Sequence, residues 1–402
     1  MSEGATAAPG QWMTLAPDST GLADVAASWR SAYVHIPFCR RRCPYCDFAV
    51  VTPSEIPPAS GEEKYAAAVV AEIDMEPPWG PLDAINFGGG TPSAVDPANL
   101  IRVLAALRNR FGIAPDAEIS LEANPEDWSE EWGETLVAAG FTRVSWGVQS
   151  FDPGVLAALG RAHSPAQAAA AVAGSHRIGF GSVSIDLILG TPGETFGSWH
   201  TTVETAVACA PHHLSAYSLT VERGTALSRA VAAGAPAPDP DDQADKYELL
   251  AVAAPGAGLV HYEVSNFALP GHVCRYNLST WAQGEYVAFG LGAHGHRNGV
   301  RRNNVRRLGG YLDGIAAGHR PQAGAETSGP WAREQERLLL GLRRRAGVFP
   351  GLGGAALTES GEGQRLMAAG VLAVNEDRLV VARPLLTDAV SIAVLSLSPR
   401  DC

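Results

Sequence analysis

The sequence predicts an α/β fold: an incomplete barrel of six strand–helix units, followed by a small, mostly helical module of winged-helix-like order. Two observations carry this. From about Ser31, short apolar runs alternate with segments of helical spacing. From about Glu334 the texture changes to an amphipathic helix and then a helix–strand–turn–strand–helix pattern. Repeated strand–helix alternation implies a parallel sheet with right-handed crossovers. An eight-unit barrel takes about 250 residues or more, whereas the six strand-like runs here lie between residues 31 and 219, which suits an incomplete barrel. An open doubly wound sheet is the alternative.

Taken in order, the strand-like runs are AYVHI (32–36), DAINF (83–87), AEISLE (117–122), RVSWGV (143–148), SVSIDLI (182–188) and LSAYSL (214–219), all rich in β-branched and aromatic residues. Helical spacing occupies 62–76, 97–110, 129–139, 165–178, 195–208 and 241–254. Residues 1–29, opening MSEGATAAPGQW, are small, polar and turn-prone, and read as a disordered tail without the basic start or apolar centre of a secretory signal. The barrel core spans 30–225, an extension 226–325 and the C-terminal module 326–402. Residues 223–240 read as loop and linker, and 256–312 as irregular, rich in Gly, His and Asn. The final module begins with REQERLLLGLR, and its NED turn separates two apolar runs.

The composition, 46% hydrophobic and 18% charged, is that of a folded soluble protein. A net charge of −12 argues against a general binder of nucleic acid or anionic membrane, and no basic stripe marks the C-terminal module as a DNA reader. No window of 18 consecutive apolar residues is present, so no transmembrane helix is expected.

Three of the six cysteines, Cys39, Cys43 and Cys46, fall within HIPFCRRRCPYCDF (35–48). Clustered thiols point to metal or redox chemistry rather than to a disulfide scaffold. Thiolates suit zinc, copper(I) or an iron–sulfur cluster. A structural zinc needs a fourth ligand, for which His35 or Asp47 stands nearby. A four-iron cluster usually takes four cysteines, so three leave one iron open to a chelating molecule. Pro37 and Pro44 stiffen the loop. Cys209 reads as core, and Cys402, the last residue, as exposed.

The spacing of the triad, three residues and then two, resembles that of radical S-adenosylmethionine (SAM) proteins, and further segments extend the resemblance. NFGGGTPS follows an apolar strand; it has neither the Lys-Ser/Thr of a P-loop nor the GxGxxG spacing of dinucleotide folds. SLEANPE, RVSWGVQSFD, LGRAH and SIDLILGTPGET follow in order. The form GGGTPS is similar to that of one branch, oxygen-independent coproporphyrinogen oxidase and its relatives. The resemblance implies a [4Fe-4S] cluster on Cys39, Cys43 and Cys46, with the amine and carboxylate of SAM on the open iron. It also implies SAM contacts from Tyr33, Gly89, Gly90, Thr91, Glu122, Gln149, Arg161 and Asp186. In that family an electron from the cluster splits SAM to a 5′-deoxyadenosyl radical, and the protein supplies position and electrostatics.

The branch holds two kinds of protein: an enzyme that decarboxylates two porphyrinogen propionates, and a heme chaperone that hands heme to an acceptor. Two features favour the carrier. The enzymes carry another cysteine two positions after the third, where this chain has Phe48, and they have a longer segment ahead of the triad than the 38 residues here. The alternative is the oxidase itself, and a third reading is a radical SAM enzyme acting on an unrelated substrate. The chaperones have a His-Asn, two residues, Tyr-Trp pattern; this chain reads Tyr276-Asn277-Leu278-Ser279-Thr280-Trp281. Heme iron accepts Tyr, His or Cys, so Tyr276, His272, Cys274, His294 and His296 are candidate ligands, each with an alternative reading as loop packing. The arginines of VRRNNVRR (300–307) read as a solvated face, or as partners for heme propionates. The resemblance implies heme, a heme-acceptor protein and, where SAM is cleaved, an electron donor as partners. It also implies a cytoplasmic setting and a place in porphyrin metabolism. Peripheral membrane contact and a homodimer stay open.

Overall fold

The computed structural model describes residues 25–58 and 60–398. The expected tail lies outside these residues as far as position 24, and so does Cys402. Ala26–Ser28 form a short 3-10 turn; Ala26 is buried against Tyr262, Ala268 and Leu278.

The strands are β1 (Ser31–Ile36), β2 (Leu82–Gly89), β3 (Ile113–Ala123), β4 (Arg143–Gln149), β5 (Ser182–Leu189), β6 (His213–Ser218), β7 (Val260–Glu263), β8 (Asn266–Ala268), β9 (Tyr286–Phe289), β10 (His294–Arg297), β11 (Val300–Asn304), β12 (Gln322–Thr327), β13 (Leu372–Asn375) and β14 (Arg378–Val381). The helices are α1 (Glu62–Met75), α2 (Pro97–Phe111), α3 (Glu130–Ala139), α4 (Pro153–Ala158), α5 (Pro165–Ile178), α6 (Phe196–Ala208), α7 (Ala226–Ala232), α8 (Pro240–Gly256), α9 (Arg275–Trp281), α10 (Leu308–Ala316), α11 (Pro330–Gly341), α12 (Gly351–Glu359), α13 (Gly361–Ala368) and α14 (Thr387–Ser396). Several crossover helices begin on local caps. Asp96 accepts from Ala98 N–H ahead of Pro97, and Ser164 with Gln167 forms a capping box.

Twelve strands form one sheet in the order β12-β11-β10-β9-β1-β2-β3-β4-β5-β6-β8-β7. The run from β9 through β1 to β6 is parallel, and the strands outside it are antiparallel. The six expected units are all present, and the sheet is open rather than closed on itself. Two stretches differ from expectation. Residues 256–312 hold β7 to β11 and α9, and the linker 223–240 holds α7. Of the added strands, β10 and β11 are four and five residues long and rich in His, Arg and Asn. They are held by ladders to neighbours, so their own sequences carry little apolar alternation.

The main core lies between the sheet and its helices and includes Trp146, Trp199 and Phe87. Cys209 caps α6 and is only partly buried against this core. The C-terminal module has its own core around Leu338, Leu357, Leu379 and Val394. Its hairpin turns at Glu376, which adopts φ 54°, and Val348 pairs with Leu379 alongside it. The module adds a further rung to the edge of the sheet. Val264 N–H donates to Arg343 O and Arg345 N–H to Tyr262 O, both at 3.0 Å.

One buried carboxylate ties α1 to the far side of the parallel run. Glu72 accepts from Gly290 N–H (2.8 Å), the Asn304 amide (2.6 Å) and the Tyr311 hydroxyl (2.6 Å). Burial pushes its pKa up to about 7. Gly290, at φ 98°, leaves no room for a Cβ, which would fall 2.5 Å from Tyr65 Oη. Glu72→Ala is therefore expected to strand three buried donors and to cost about 3 kcal/mol, read as a lowered urea midpoint at unchanged m-value. A midpoint equal to the parent's would show that these donors find other acceptors.

Candidate functional site

The cysteine loop hangs from the C-terminal end of β1 and is clamped on two sides. Gly90 N–H donates to Ile36 O (2.8 Å), Thr91 N–H to Phe38 O (2.9 Å), Cys39 N–H to Val51 O (3.0 Å) and Val51 N–H to Pro37 O (2.8 Å). From below, the His35 ring reaches Ala49 O through Nε2 (2.8 Å) and the Tyr33 hydroxyl through Nδ1 (3.1 Å). A carbonyl only accepts, so Nε2 carries the proton and Nδ1 accepts from Tyr33. Burial lowers the His35 pKa to about 4. Both ring nitrogens are thus occupied, and His35 does not complete a zinc site. Asp47 is exposed at the cavity margin, and its backbone carbonyl accepts from Arg306 (2.7 Å).

Above the strand ends lies a cavity of about 460 Å³ lined by all three cluster-candidate cysteines together with Gly89, Gly90, Thr91, Glu122, Gln149, Arg161 and Asp186. The residues singled out in the sequence therefore meet at one place, as expected for C-terminal strand ends in an α/β fold. Tyr33 is the exception. It is not part of the lining and stacks on Tyr276 at 6.0 Å. Burial, then the charge of Glu122, pushes its phenol well above the usual range.

The acidic side of the cavity is built by β3 and β5. Glu122 Oε2 accepts from Gly89 N–H (3.2 Å), and burial followed by the nearby Asp186 raises its pKa to about 7. Asp186, also raised by burial, lies 2.9 and 2.8 Å from Ser145 Oγ through its two oxygens. The basic side is Arg161. Its guanidinium donates to Gly147 O (2.8 Å) and the Asn124 amide oxygen and approaches Cys43 Sγ (3.7 Å), while its Nε is buried without a partner. Gln149 sits at φ 65° beside a register shift in β4. That irregularity re-aims its side chain into the cavity, as bulges next to sites do.

Sequence reasoning missed Asn124 and Tyr45. Asn124 bridges the Thr91 hydroxyl (3.3 Å) and Arg161. Its signal was its place two residues after Glu122, which puts it on the same face of the chain. Tyr45 lines the cavity within the loop itself.

The candidate heme ligands are scattered. Tyr276 is packed between Tyr33 and Tyr286, and burial pushes its phenol well above the usual range. Cys274 is buried, with its thiol pushed up to about 12. His272 stacks on His212 at 4.3 Å. His296 is buried with Nδ1 near Gly284 O (3.2 Å), and His294 is exposed.

The donor set fits a cluster. Three thiols face one cavity; burial raises Cys39 to about 11 and also raises Cys46, so metal binding would release their protons. Among the described residues no three His, Cys, Asp or Glu side chains converge on a single ion. A four-iron cluster gives each thiolate its own iron and does not need such convergence. Glu122, Asp186 and Arg161, with Glu126, Glu222, Arg40, Arg41 and Arg42 also in the lining, fit a ligand carrying both cationic and carboxylate groups.

Comparison with known proteins agrees with this geometry. The model of the Radical SAM superfamily matches residues 33–206. The chain is 42% identical over 378 residues to the heme chaperone HemW of Mycobacterium tuberculosis, covering 92% of this chain and 96% of that protein. It is 37% identical to the heme chaperone HemW of Synechocystis, covering 79% of each. Among solved structures it resembles coproporphyrinogen III oxidase (HemN) from Escherichia coli, described as a radical SAM enzyme, with a TM-score of 0.76 over 93% of this chain and 92% of that one. At 21% identity that is a likeness of fold.

The raised pKa of Glu122 makes a pH prediction for the metal-free protein. A carboxyl near 7 in the fold and near 4.5 when unfolded keeps a proton that the unfolded chain has lost. Its share of stability is present below 4.5, falls away as pH rises to about 7 and is constant above that. Glu122→Gln should flatten this fall, measured as urea midpoints between pH 5 and pH 7.5. Glu72 and Glu263 titrate in the same direction and keep part of the slope. An unchanged slope in Glu122→Gln would show that Glu122 is ionised in the folded apoprotein.

Proposed function

The chain belongs to the radical SAM superfamily and, within it, to the HemW heme chaperone family; on that premise we propose that it binds heme and passes it to an acceptor protein while carrying a [4Fe-4S] cluster and SAM. The observation that carries this reading is a CxxxCxxC loop clamped over an acid-and-arginine cavity, in a chain 42% identical along 92% of its length to a heme chaperone.

In this reading Cys39, Cys43 and Cys46 hold the cluster. When bound, a cluster with one vacant iron corner supplies an open coordination position and an electron. Arg161, beside Cys43, offsets thiolate charge and pairs with the carboxylate of SAM. Backbone at Gly89, Gly90 and Thr91 lies along the cavity wall and would receive the methionyl amine. Glu122 and Asp186 accept from the ribose hydroxyls, and Gln149 meets the adenine edge. Tyr33, through His35 and its stack on Tyr276, holds the floor under these groups. The heme acceptor and, where SAM is cleaved, an electron donor are the protein partners. No helix among the described residues is long and apolar enough to cross a membrane.

Oxidative decarboxylation of coproporphyrinogen is the rival reading. It has the fold likeness, but Phe48 stands where the oxidases place a further cysteine.

Anaerobic reconstitution with iron and sulfide decides between them. The protein should turn brown, its reduced spin-resonance spectrum should change on adding SAM, hemin should develop a shifted Soret band, and coproporphyrinogen should remain unconverted. Cys43→Ser should lose the brown colour. Formation of protoporphyrinogen would overturn the carrier reading, and a colourless zinc-loaded protein would overturn the cluster.

A further inference from the structure

A second cavity, of about 520 Å³, opens on the far side of the cysteine loop, between that loop and the residues leading into α7. It shares Arg42, Cys43, Cys46, Asp47, Phe48 and Val50 with the first cavity, so the loop forms a wall common to both and Phe48 borders each. Its lining has two unusual properties. Phe48 presents an aromatic ring that is 57% exposed. Around it stand Arg42, Arg223, Arg229 and Arg306, with Asp47 the one acid of the lining.

The pairing of these arginines matters. Arg42 is bound to Glu55 (3.2 Å). Arg229 donates to Gly224 O (2.9 Å) and Arg306 to Asp47 O, both backbone carbonyls. Among the described residues none of Arg223, Arg229 and Arg306 makes an ion pair with a carboxylate. Three guanidinium groups without an ion-pair partner among the described residues, beside the single acid Asp47, gather here in a chain of net charge −12. Guanidinium forks suit carboxylates in bidentate pairs, and an exposed ring beside them suits a flat apolar face. The cavity also has the size of a small-ligand site, about 300–1,000 Å³.

We propose that this arginine cavity is where the tetrapyrrole sits, its carboxylates on Arg223, Arg229 and Arg306 and its face on Phe48. The inference rests on the carrier reading above and adds the location and mode of recognition. The lining offers no imidazole or phenol to the iron. Recognition is therefore by the two carboxylates and the ring face, with the iron left free for an acceptor's ligand. The cysteine loop would then place the tetrapyrrole directly behind the cluster.

The test titrates cluster-loaded protein with hemin, free-base protoporphyrin IX and protoporphyrin IX dimethyl ester. Hemin and the free base should bind alike, and the diester should bind more weakly by about tenfold or more. The triple variant Arg223→Ala, Arg229→Ala, Arg306→Ala should lose the same margin with its cluster absorbance unchanged. Phe48→Ala should weaken both porphyrins equally. Tyr276→Phe should leave binding as it is. Hemin binding that survives the triple variant intact, or a diester that binds as tightly as the diacid, would overturn the location and leave the carrier reading standing. Wild-type protein that binds no tetrapyrrole at all would overturn both.

Discussion

The arrangement depends on one close approach. Gly90 lies so near the end of β1 that an added Cβ would fall 2.7 Å from Ile36 O and from the carbonyl carbon of Pro37. This contact lets the amides of Gly90 and Thr91 bond to carbonyls at positions 36 and 38, so the glycine loop and the cysteine loop behave as one body. Gly89 completes the approach from the other side, since a Cβ there would meet the His35 ring at 2.3 Å. With both loops fixed, the three thiols and the backbone that would receive a small ligand are set at a constant separation. That is the preorganisation a reactive cofactor requires of its protein.

Burial shifts the titration of several groups around this body. Burial raises Glu122 to about 7, raises Asp186 as well, and lowers His35 to about 4. Arg161 is tied to Asn124 and Gly147. A cationic group brought beside Glu122 would lower its raised pKa, so binding and proton release there are linked. Asn124 matters here because it joins Thr91, next to Cys39, to Arg161, next to Cys43.

Much of this was legible in the sequence. The six strand–helix units, the three cysteines and the ordered polar residues at strand ends show there because each depends on local pattern: apolar alternation, spacing within a loop, or the residue that follows a strand. The remainder depends on tertiary neighbours. β10, with His294 and His296, and β11, reading VRRNN, have no apolar stripe of their own; they are strands because β9 and β12 offer them ladders. Tyr276 looked like an iron ligand by position, yet α9 packs it against Tyr33 within the fold. Arg306 looked like one of several solvated arginines, and only the return of the chain brings it to Asp47.

The bond between Tyr262–Val264 and Arg343–Arg345 has a bearing beyond local packing. It covers the open hydrogen-bonding side of β7, the last strand at one limit of the sheet. At the other limit β12 is short and almost wholly exposed, with a glutamate at position 326. Uncovered strand margins recruit other chains. The C-terminal module thus covers that margin, and a chain shortened before Arg343 would leave the amide of Val264 and the carbonyl of Tyr262 without these partners.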